Sequence, residues 1–165
     1  MTVRAFHIQD FAPDASMRSL LPGAQFGDSF RVAVNADALD ARQAAERMFT
    51  RLPGWIDGLM KLRNLVVAPL GLKTPSHTKT IVADSIGPFP VISETPQRLV
   101  AGFNDKHLDF RVIVDVTGSV TDRQVTATTL VRTHNLLGRV YLATIMPFHR
   151  IIVPAMLRQV PDRRD

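Results

Sequence analysis

The stretch Leu108-Asp-Phe-Arg-Val-Ile-Val-Asp-Val116 decides the fold. Leu108, Phe110, Val112, Val114 and Val116 share one parity, and Asp109, Arg111 and Asp115 fall on the other. A period of two held this long belongs to a strand with two unlike faces. Reading outward, Gly118-Ser119 and Thr121-Asp122 turn the chain into a second strand marked by Val125, Ala127, Thr129 and Val131. In the other direction Asn104-Asp105-Lys106 is a tight connection to a strand over residues 98–103. Before it come strands over 91–95 and 80–86, with Gly87-Pro88-Phe89-Pro90 as the turn between them. Connections this short join antiparallel neighbours, so the segment predicts a β-meander.

The flanks change period. Phe30, Val32 and Val34 alternate within Asp28–Asn35, which predicts a half-buried strand. Residues 38–52 read as a helix that Asn35 or Asp37 can cap, and Pro53-Gly54 breaks it. A second helix, residues 55–70, places Trp55, Leu59, Leu62 and Val66 on one stripe. From Asn135 onward Leu137, Tyr141, Thr144, Phe148, Ile151 and Ala155 recur at helical spacing, and Pro147 and Pro154 within that pattern predict kinks or a break. The expected architecture is an α+β domain over residues 28–160. A curved antiparallel sheet packs on a long C-terminal helix, after an irregular arm (1–27) and before a charged tail (161–165).

Composition narrows the function classes. The 165 residues carry 45% hydrophobic and 21% charged side chains, enough apolar mass for one packed core. The absence of cysteine excludes disulfides and thiolate chemistry. The net charge of +5 comes from basic residues scattered along the chain. With no basic stripe or aromatic platform, nucleic acid is not the expected partner. Met1–Asp14 lacks the apolar core of a signal peptide, and the longest apolar run, 140–148, is shorter than a membrane span. A cytoplasmic location is therefore expected.

No phosphate-binding loop, nucleophile elbow or His-Glu-x-x-His motif is present. Chemistry must come from looser groupings. His107, Asp109 and Arg111 share one strand face, where the carboxylate could orient an imidazole as a general base. The alternative is a solvated face with weak ion pairs. Tyr141 and His149 lie two helical turns apart and could anchor a carbonyl or carboxylate. Alternatively, Tyr141 packs in the core and His149 satisfies backbone groups freed by Pro147. His134 precedes Asn135, whose structural role as a helix cap is the simpler one. The scattered histidines do not space as metal ligands, so neither a metal nor any other cofactor is expected. Trp55, Phe103, Phe110, Tyr141, Ile145 and Phe148 are candidates to line an apolar ligand site, or simply to fill a core.

The element order resembles the helix-grip fold of the START-like and birch-pollen-allergen-like superfamily. Gly102–Arg111, His134–Tyr141 and Pro147-Phe-His-Arg-Ile-Ile-Val-Pro154 are similar to a bacterial domain-of-unknown-function family ending in a Tyr…Pro-Phe-His signature. The superfamily resemblance implies an apolar cavity between sheet and helix. Three functions follow as expectations: a binder of a small hydrophobic or amphipathic molecule first, then a cyclase, dehydratase or hydrolase using the same cavity. The third is a membrane-surface or partner-binding module, a homodimer contact included.

Overall fold

The computed structural model describes residues 7–35, 38–50, 54–70 and 84–161. Two short N-terminal elements, β1 (Gln9–Phe11) and α1 (Ala15–Arg18), precede β2 (Phe26–Val34). Helices α2 (Ala41–Thr50) and α3 (Gly54–Val67) follow, the latter running into a 3-10 turn at Ala68–Leu70. The meander is β3 (Ser85–Ile86), β4 (Phe89–Glu94), β5 (Arg98–Asn104), β6 (Leu108–Thr117) and β7 (Arg123–Thr133), and α4 (Leu136–Leu157) closes the chain. Of the expected elements, Asp37 as a cap, the break at Pro53, residues 80–83 of the first meander strand and the tail beyond Pro161 lie outside the described residues.

The seven strands form one antiparallel sheet in the order β1-β2-β7-β6-β5-β4-β3. The chain has the expected helix-grip arrangement: a curved antiparallel sheet, two helices inserted after β2, and a long C-terminal helix across one face. On that inner face Phe30, Val32, Val34, Leu99, Ala101, Val112, Val114, Val116, Val125 and Ala127 meet Ala41, Ala44, Ala45 and Met48 of α2 and Met156 and Leu157 of α4.

Three local expectations are corrected. The arm is not irregular throughout. Its Phe11 pairs with Ser29 of β2, and Arg31 stacks over the Phe11 ring at 4.5 Å. Met17 and Leu21 cover the other face of the sheet, where Leu21 packs with Val100, Ile113 and Leu130. The cap of α2 is Asp40, not Asn35. Asp40 Oδ1 accepts from the Gln43 backbone N–H at 2.7 Å, and Gln43 Oε1 accepts from that of Asp40 at 3.3 Å, a reciprocal capping box. Trp55 is not inward: it is 47% exposed, and Ile56 takes the buried position beside it.

The C-terminal helix starts where the sequence places it. Asn135 Oδ1 accepts from the Gly138 backbone N–H at 3.0 Å. The helix then continues through Pro147 and Pro154. Each proline leaves one carbonyl four residues earlier without its donor. Those carbonyls belong to Ala143 and Arg150, both exposed residues, so water can satisfy them.

Candidate functional site

The site lies where α4 crosses the inner face. Residues 103, 110, 131 and 26 form one cross-strand row on β5, β6, β7 and β2, all of inner-face parity. At one end of the row Phe103 and Phe110 stack at 5.7 Å, and Phe89 of β4 stacks on Phe110 at 4.9 Å. Phe49 of α2 meets Phe89 edge-on at 5.9 Å. At the other end of the row, over Phe26, comes the α4 stripe Tyr141, Ile145 and His149, at four-residue spacing. It faces the sheet because His149 bonds to β2.

Packing along α4 is uneven. Ala155, Met156 and Leu157 are buried, whereas Tyr141, Ile145, Phe148, His149 and Ile152 are only half-buried. On the same face of the sheet Phe89, Phe103 and Phe110 are half-buried too, with Phe49 of α2 against Phe89. Large aromatic side chains facing a helix across a sealed core would be covered. The C-terminal end of α4 is thus packed on the core, and its middle is not.

The polar feature of this face is Asp28 with His149. Asp28 has the same strand parity as Phe30 and Val32, so β2 carries a carboxylate on its apolar side. Its Oδ1 lies 3.1 Å from His149 Nε2, with side-chain exposures of 20% and 14%. The Phe26 ring meets the imidazole edge-on at 6.0 Å and fixes its plane. A carboxylate-held imidazole can accept or deliver a proton at its other nitrogen, or anchor a polar group there.

The strand grouping is dispersed on the outer face. Asp109 pairs with His134 Nε2 at 3.0 Å, not with His107. His107 Nδ1 is 3.0 Å from the Asn135 amide. Arg111 donates to the Phe103 and Phe110 carbonyls at 3.1 and 2.9 Å. The three residues therefore hold the β5–β6 edge and the α4 start in place. Asp109 and Arg111 have the parity of the outer face, His107 stands at the start of α4, and the three share no hydrogen-bond partner. Tyr141, Ile145 and His149 share a stripe of α4, next to which Phe148 stands, and Phe103 and Phe110 stack on each other on the sheet. Trp55 stands apart on the exposed side of α3. Asp28 is the residue the sequence reading left out. The signal was available in the alternation it shares with Phe30 and Val32.

Among the described residues, no group of three His, Asp or Glu side chains could hold a metal ion. By length and composition alone, α4 is long and apolar enough to cross a membrane. In the fold, His149 and the Met156–Leu157 end tie it to the sheet.

None of the curated proteins matches the chain. A solved structure, that of CalU16 from Micromonospora echinospora, is similar over 95% of this chain and 92% of its own, at 11% identity and a TM-score of 0.33. The family model described as "Protein of unknown function (DUF2867)" matches residues 20–156, most of the length, and the chain belongs to that family.

Proposed function

We propose that the chain binds a small hydrophobic or amphipathic molecule between the inner face of the sheet and the middle of α4. One observation carries this: the aromatic group Phe89, Phe103 and Phe110 is half-buried on a face that a helix already covers. Each aromatic side chain buries roughly 150–250 Å² when enclosed, and each Å² of apolar surface removed from water contributes about 25 cal/mol. A guest that completes the burial of three rings gains from all of them at once, and Ile145 and Phe148 would close over it from α4.

The test is native mass spectrometry of the purified chain for a co-purified apolar molecule, followed by titration with the neutral fluorophore N-phenyl-1-naphthylamine. Bound fluorophore is expected with wild type. The half-exposed substitution Ile145→Glu, which places a charge in the site, should abolish it with the circular dichroism spectrum unchanged. A wild-type chain that releases no molecule and leaves the fluorophore unperturbed would end the proposal.

The Asp28–His149 contact favours a second reading, in which the bound molecule is also hydrolysed or dehydrated with His149 Nδ1 as base. Turnover of the co-purified molecule that is lost in His149→Gln while binding persists would distinguish the two.

A further inference from the structure

We infer that the Asp28–His149 pair forms the polar end of this site and selects apolar molecules carrying a hydrogen-bond donor, such as a hydroxyl, against those carrying a carboxylate. The inference rests on the ligand-binding function proposed above and adds the chemistry of the ligand head.

Three observations carry it. First, Asp28 uses only Oδ1 in its contact with His149, and among the described residues Oδ2 has no partner. A mostly buried carboxylate oxygen with free lone pairs is a strong acceptor in want of a donor. Second, the hydrogen that His149 shares with Asp28 sits on Nε2, so in the neutral imidazole Nδ1 is a second acceptor. Third, the sheet wall beside the pair offers an anion no attraction. With a neutral imidazole the pair is negative, and with a protonated one it sums to zero. Among the described inner-face positions of β2, β5, β6 and β7, alternation gives one other charged residue, Arg123. It pairs with Val34, six residues along the ladder from the Asp28–Thr129 pair, about 20 Å away.

The apolar row fits the same geometry. Phe26 and Phe110 sit on strands two apart, flanking β7, so about 10 Å separates the polar pair's edge of the sheet from the stacked rings. A molecule of two fused rings spans that distance with its hydroxyl at Asp28 and its far edge on Phe110.

The experiment uses the full chain at pH 7 and three probes that share one ring system: naphthalene, 2-naphthol and 2-naphthoate, titrated by calorimetry. A hydrogen bond to a charged acceptor should make 2-naphthol bind about tenfold or more tighter than naphthalene, with 2-naphthoate weaker than naphthalene. Asp28→Asn, isosteric and uncharged, should narrow the gap between 2-naphthol and 2-naphthoate by about tenfold. Equal binding of 2-naphthol and 2-naphthoate to wild type overturns the inference, as does a gap that Asp28→Asn leaves intact. If naphthalene binds and the hydroxyl adds nothing, the donor selection falls and the apolar site stands. If none of the three binds, both fall. The wild-type comparison decides the matter even should the variant not fold.

Discussion

The substitution Gly138→Ala should destabilise this protein although alanine is the better helix former. Gly138 is in the first turn of α4, and a Cβ built there would stand 2.2 Å from the His107 carbonyl oxygen and 3.0 Å from its carbon. Ordinary contact between these atoms begins near 3.4 Å, so the helix start must retreat from the β6 entrance by about 1 Å. The obstacle is backbone, fixed by the His134 N–H that donates to the same carbonyl at 2.9 Å, so it cannot rotate away. Propensity favours alanine by about 1 kcal/mol in a helix interior. Forced overpacking opposes it by about 1–3 kcal/mol, and the retreat also strains the Asn135 cap, itself worth about 1 kcal/mol. The net expectation is a loss of about 1–3 kcal/mol, read as a lower urea midpoint at unchanged slope. Gly58 in α3 is the control. A Cβ there has nothing within 4 Å, so Gly58→Ala should gain up to about 1 kcal/mol. Should Gly138→Ala prove as stable as wild type, the close seating of α4 on His107 would be refuted.

Three further outcomes follow from packing and charge. Leu130→Ala, at a fully buried position under Leu21, should cost about 2–5 kcal/mol by chemical denaturation; a loss under 1 kcal/mol would mean the N-terminal segment does not cover the outer face. Arg98→Met should destabilise by about 1–3 kcal/mol, because it strands the buried Asp115 carboxylate, held by Arg98 at 2.5 and 3.1 Å. Arg98→Met with Asp115→Leu should recover most of that loss in a double-mutant cycle. The Arg42 guanidinium, hydrogen-bonded to Glu94 and to Asp84, holds the Glu94 carboxyl below its ordinary value of 4.5. A folded-state value below the unfolded one stabilises above the unfolded value and is lost as pH falls through the folded one. The stability gap between wild type and Arg42→Met should therefore be constant above pH 4.5 and shrink below it; a gap that widens in acid would contradict the pairing.

The fold was legible because its elements announce themselves by period. Strands β5, β6 and β7 and helix α4 fall within a residue or two of their sequence limits, each being long enough for alternation or helical spacing to repeat. The elements missed are those with no period of their own. Gln9–Phe11 is too short to show alternation and is a strand only because β2 presents an edge to it. Met17 and Leu21 look like isolated apolar residues in a proline-punctuated arm. Their purpose is legible only from the far side, where Ile113 and Leu130 sit on a face read as solvated. An isoleucine between Arg111 and Asp115 was the sign that this face, too, needed a cover.

The site was legible by halves for a related reason. Apolar candidates on α4 and β6 were found because their spacing also builds the fold. The Asp28–His149 contact joins residues 121 positions apart in sequence, and no local pattern encodes such a distance. What the sequence did hold was a contradiction: a carboxylate on the strand parity of Phe30 and Val32, and an imidazole on the helix stripe of Tyr141 and Ile145. A charge on an apolar face costs free energy unless something meets it. Two such misplaced polar groups on elements expected to pack together imply each other. They meet on β2, two strands from the half-buried rings stacked on β6. A ligand lying across β7, as proposed, would reach both departures from a plain core at once: the carboxylate on one side of that strand and the rings on the other.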